Sequence, residues 1–167
     1  MFLNRRSGPN SSSSRQSARK RARRRVFLAS PEQLEGRLVM ATLMVSNLNG
    51  LDVFSAGDGS LRGEIAAANP GDTIEFSPNL AGGTISLLGA DVLINKSLTI
   101  DAPTGAFGLP GLTISGFNTS RIFDIEGGTS GVNVTVDNVV IANGNAATGA
   151  GVLINNVSGT VTFNNVI

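Results

Sequence analysis

The chain has 167 residues, 13 of them Lys or Arg and 12 Asp or Glu, and contains no Cys, His, Trp or Tyr. Those absences exclude disulfides, Ser-His and Cys-His catalytic pairs and Cys/His zinc sites, and eight Phe as the sole aromatics leave few stacking platforms. The net charge of +1 divides unevenly: residues 1–40 carry ten basic residues against Glu32 and Glu35, a balance of +8, whereas residues 41–167 carry Arg62, Lys96 and Arg121 against ten acids, a balance of −7. Such asymmetry marks a tail attached to a domain. A body with 127 residues can bury a core. Across the chain, 21 glycines and 15% charged residues suit a turn-rich all-β body better than a helical one.

In chain order, residues 1–30 read as a disordered basic leader. Positions 4–25 are Ser- and Arg-rich with no aliphatic side chains larger than Ala, and cannot bury enough surface to offset the entropy of ordering. Six of the seven residues from Arg19 to Arg25 are basic. Such a run can meet phosphates, but no nucleic-acid-binding fold follows it, which argues against a nucleic acid as partner and for a targeting segment. The apolar stretch after it, VFLA at 26–29, is too short for an ordinary signal peptide, and no segment approaches the ~20 apolar residues of a membrane span.

The string PEQLEGRLVMA at 31–41 resembles the LEPR-XLL motif found near the N-termini of large, repetitive bacterial surface proteins. Leu34, Glu35, Arg37 and Leu38 match; Gly36 replaces the proline-like position, and Val39 and Met40 stand for the terminal leucines. The resemblance implies export to the cell surface, the outer membrane or the exterior.

The segment 42–83 reads as an N-terminal cap. TLMVSNL at 42–48 is a strand candidate, and DTIEF at 72–76 alternates as a strand does. Between them, Leu61, Ile65 and Ala68 lie on one face of a short helix over 60–69, with Ser60 as N-cap and Asn69-Pro70-Gly71 as stop; Gly63 weakens it. This stretch resembles the CSLREA-type entry segment of bacterial β-helix proteins, through Ser60, Leu61, Arg62, Ile65, Ala68, Asn69, Asp72, Ile74 and Phe76. Gly59 sits where that family has its cysteine. The resemblance, which extends to the polymorphic outer-membrane proteins, implies a pectin-lyase-like parallel β-helix and an adhesin-like surface role.

Residues 84–167 repeat. VTVDNVV at 134–140 aligns with VTFNNVI at 161–167 without a gap, at an offset of 27. Three tracks share a period near ~28: Ile85, Ile114 and Ile141; Ile94, Ile125 and Ile154; and Ile100, Val136 and Phe163. Three short strands per repeat, each stacked ~4.8 Å above its predecessor, predict a right-handed parallel β-helix with three sheets and about three coils. The tracks would be its internal ladders. DAPTGAFGLPG at 101–111 and GNAATGAG at 144–151 read as outward loops, and Asn138 and Asn165 fall on a corner suited to left-handed backbone, where stacked amides can bond along the axis. An apolar strand ending at Ile167 would be an open edge, so further β-helix coils are expected to continue the stack.

Candidate chemistry is sparse. Asp101 and Asp137 fall on one register and could together offer oxygens to Ca²⁺, although Asp at turns more commonly binds local backbone N–H groups. Asp124 and Glu126 flank Ile125 and would face outward; a carboxylate pair there could serve acid–base chemistry, with Arg121 and Lys96 the basic residues of the coils. No aspartate cluster or P-loop accompanies them, and all four read as solvated. The expectation is a non-catalytic, cofactor-free structural or adhesive protein meeting extracellular polysaccharide or protein. The alternative is the front of a β-helix polysaccharide lyase or glycoside hydrolase.

Overall fold

The computed structural model describes residues 39–51, 53–128 and 131–167. The leader at 1–30 and the motif residues Leu34, Glu35, Arg37 and Leu38 lie outside the described residues.

The fold is mostly β, with three parallel sheets and one helix. The first sheet holds β1 (Thr42–Val45), β2 (Thr73–Phe76), β5 (Leu98–Asp101), β8 (Val134–Asp137) and β11 (Val161–Asn164), in that spatial order. The second holds β3 (Thr84–Ser86), β6 (Leu112–Ser115) and β9 (Val139–Ala142). The third holds β4 (Val92–Ile94), β7 (Phe123–Glu126) and β10 (Val152–Asn155). From β3 onward successive strands join the second, third and first sheets in rotation, and every pairing is parallel.

Register follows the apolar pattern. Ile85 pairs with Ile114 and Ile114 with Ile141; Ile125 pairs with both Ile94 and Ile154; Val136 pairs with both Ile100 and Phe163. A slip by one residue would turn each apolar set to the opposite face. Ile85, Ile94, Ile100, Ile114, Ile125 and Val136 have no exposed surface. Ile154 and Phe163 differ from the expectation of internal ladders: they are 48% and 36% exposed, and Ile141 is half-buried. Each belongs to the last strand of its sheet in chain order, whereas Ile85 and Ile94, on the opposite edge strands β3 and β4, are fully buried.

The first sheet begins with β1 and β2, so pairing does not separate the expected cap at 42–83 from the later strands: Thr73, Ile74 and Glu75 pair with Thr99, Ile100 and Asp101. The helix, α1 (Leu61–Ala67), is shorter than 60–69, because Ser60 caps it through its Oγ and Ala68 has already turned to extended backbone. Ordinary α propensity would not choose Gly63 inside a helix. Here a Cβ would lie 2.1 Å from Asp58 Oδ1 and 2.6 Å from the Ser55 carbonyl oxygen. Close approach of the preceding loop requires glycine there.

Corners use asparagine in the left-handed region, with φ of 62° at Asn138, 51° at Asn143, 50° at Asn156 and 49° at Asn165. Asparagine tolerates this geometry because its short amide bonds locally. Among the described residues no helix is long and apolar enough to cross a membrane.

Candidate functional site

The carboxylates expected to share a cation are engaged with amides. Asp101 and Asp137 are partners in the β5–β8 register. Asp101 Oδ1 accepts from Asn138 Nδ2 at 3.0 Å, and Asp137 Oδ1 accepts from Asn164 Nδ2 at 2.7 Å. Asn138 Oδ1 in turn accepts from Asn165 Nδ2 at 2.9 Å. The result is a polar seam of amides and carboxylates running across successive strands. Calcium takes six to eight oxygen ligands, and among the described residues no three of His, Cys, Asp or Glu are grouped so as to hold a metal. The seam satisfies corner side chains.

The three basic residues of the body occupy built positions, which corrects the solvated-face reading of Lys96 and Arg121. Arg121 is 15% exposed in its side chain. Its Nη1 donates to Asp91 Oδ2 at 3.0 Å and to Asp124 Oδ2 at 2.7 Å, its Nε to the Gly149 carbonyl at 3.1 Å, and its Nη2 to the Thr148 carbonyl at 3.3 Å. Asp124 is therefore a half-buried ion-pair partner; its side chain is 17% exposed, and the structure does not present it to solvent as expected. Glu126 is exposed. The expected acid–base pair thus consists of one carboxylate bound to a guanidinium and one in solvent.

Arg62 and Lys96 join α1 to the segment around β4. Arg62 is buried, and its guanidinium donates to the carbonyl oxygens of Ala90 and Asp91, just before β4. Lys96, just after β4, donates from Nζ to the carbonyls of Ile65 at 3.1 Å and Ala68 at 2.8 Å. A cation at the carboxyl end of a helix satisfies its last carbonyls and complements its dipole. Between these two fastenings lies a cavity of about 350 Å³, walled by Ile65 and Ala66 of α1 and by Val92 and Leu93 of β4, with Phe54 at its margin.

The helix entrance is ordered by acids. Ser60 Oγ donates to Asp58 Oδ1 at 2.5 Å, and the Ser55 N–H donates to Asp58 Oδ2 at 3.0 Å. The Ser60 hydroxyl, with the backbone N–H groups of Ser55 and Ser60, holds the Asp58 carboxyl below its ordinary pKa. Asp72 accepts from the Ala41 N–H at 2.7 Å and the Asn69 N–H at 2.7 Å. Those two donors, the Ala41 N–H foremost, and the nearby Lys96 charge lower its pKa. Leu61, the middle residue of Ser60-Leu61-Arg62, is fully buried. Within the triplet, Ser60 caps the helix, Leu61 fills the core and Arg62 fastens the helix to the segment before β4.

Sequence reasoning missed Phe54, Asp91 and the cavity itself. The available signal was charge economy: three cations among ten acids in residues 41–167 are too few to be decoration. Comparison of the chain with protein-family models, with curated proteins and with solved structures finds no match in any of the three.

Proposed function

We propose that the three sheets wind as a right-handed parallel β-helix, and that the protein is an exported structural or adhesive element of a bacterial surface. The observation that carries the reading is the register of the three ladders: like residues stack on like, strand upon strand, in all three sheets. Right-handedness is supported by the strong preference of parallel strand–crossover–strand connections for that hand. A stack of this kind presents flat faces whose side chains recur along one axis, a geometry suited to extended ligands such as polysaccharides. The LEPR-XLL-like and CSLREA-like strings support export and surface attachment.

Two measurements test the reading. Protease treatment of intact source cells should remove the chain; protection until the envelope is broken would overturn surface exposure. Incubation with acidic polysaccharides and calcium should give retention on the polymer with no cleavage. Release of unsaturated or reducing ends would overturn the non-catalytic role and place the protein among polysaccharide lyases or hydrolases.

A further inference from the structure

We propose that the cavity between α1 and β4 is a binding site for a small organic carboxylate with an apolar body. The inference is independent of the surface role. At about 350 Å³ the space falls within the range of small-molecule pockets, which are mostly apolar with a few placed polar groups. Ile65 and Leu93 supply apolar walls from the helix and the strand, and Phe54 stands at the rim. Leu93 and Phe54 are 47% and 40% exposed, so an apolar ligand would remove both from water.

The charge requirement comes from Lys96. An ammonium has three donors, and two of them go to the carbonyls of Ile65 and Ala68. Among the described residues no carboxylate lies within ion-pair distance of Lys96, and it is half-buried. The acid on the cavity wall, Asp91, is bound by Arg121. Of the charged residues lining the cavity, Arg62 and Lys96 outnumber Asp91; Asp72 feels the Lys96 charge without pairing with it, so a ligand carboxylate would meet an ammonium already partly withdrawn from water, where a charge-assisted bond is strongest. Arg62 and Lys96, fastening helix to strand on either side of β4, keep the walls apart and formed before a ligand arrives.

The test is calorimetric titration of the full chain with 3-phenylpropionate, with 3-phenylpropanamide as the neutral isostere. Saturable one-site binding is expected, with the amide at least about tenfold weaker. Leu93→Trp, at a half-exposed position, should fill the cavity and weaken binding at least about tenfold without loss of the circular dichroism melt. Lys96→Met should weaken it similarly; because Lys96 also caps α1, its melt is recorded alongside. Absence of saturation up to about 10 mM overturns the proposal. So does equal binding of acid and amide, or affinity unchanged by Leu93→Trp. Galacturonate binding more tightly than 3-phenylpropionate would also overturn it, since the cavity would then prefer a polar ring.

Discussion

Truncating the same residue type at two positions of one ladder tests whether the third sheet is stacked as described. Ile125 lies on the central strand, β7, between Ile94 and Ile154, with no exposed surface. Ile125→Ala removes three carbons, worth about 0.8 kcal/mol each in transfer from water. Incomplete collapse of the cavity left behind adds on the order of 1 kcal/mol. The expected cost is about 3–4 kcal/mol, a large share of the ~5–15 kcal/mol that holds a domain together. Ile154→Ala removes the same atoms from a side chain that is 48% exposed. Half the transfer term and no closed cavity give about 1 kcal/mol. Because the chain lacks Trp and Tyr, unfolding is followed by far-UV circular dichroism in urea. Midpoint shifts are compared at unchanged slope. Equal costs at the two sites would show that Ile125 is not covered from both sides. A cost below about 1 kcal/mol at Ile125 would remove it from the core altogether.

Two further outcomes probe the helix entrance and the acid limb. Gly63→Ala should destabilise the protein by about 1–2 kcal/mol despite the gain of about 1 kcal/mol in helix propensity, because the new methyl would displace Asp58 and the Ser55 carbonyl; a raised urea midpoint would show that the loop yields freely. Asp72 has a lowered folded pKa, so its contribution is present above the unfolded carboxylate value of about 3.9 and is lost as pH falls through the lower folded value. The stability difference between wild type and Asp72→Asn should therefore be constant above about pH 5 and shrink at lower pH. A difference that persists undiminished to about pH 2 would place the acid sensitivity elsewhere.

Features legible in the sequence and features hidden from it separate along a physical line. Strand positions were legible because a parallel stack must repeat its apolar residues at the same register: the gapless match of 134–140 with 161–167 is the β8–β11 pairing written in sequence. Corners were legible for a related reason, since Asn138 and Asn165 adopt positive φ where few residue types do so without strain. Exposure along a ladder was not legible. Ile94, Ile125 and Ile154 carry one residue type with the same periodicity, but only the first two are enclosed: β4 and β10 are both edge strands, and α1 is fastened to the segments on either side of β4 alone.

Side-chain chemistry was least legible, because charged residues in this body act across repeats. Arg62 and Lys96 each reach a backbone carbonyl at least 28 residues away, and Arg121 reaches Asp91 across 30. Neither the residues flanking a cation nor its position on a strand reveals a partner one layer distant. Carbonyl acceptors leave no mark in the sequence at all, since every residue has one. For the same reason Lys96 reads as solvated in the sequence. Its nearest neighbours there, Asn95 and Ser97, are polar, whereas its partners are carbonyls in the last turn of a helix that lies about one full repeat earlier in the chain. In a stacked parallel fold the repeat distance is itself the contact distance. A lone cation is therefore best interpreted against the residues about 28 positions before it and after it, rather than against its immediate neighbours.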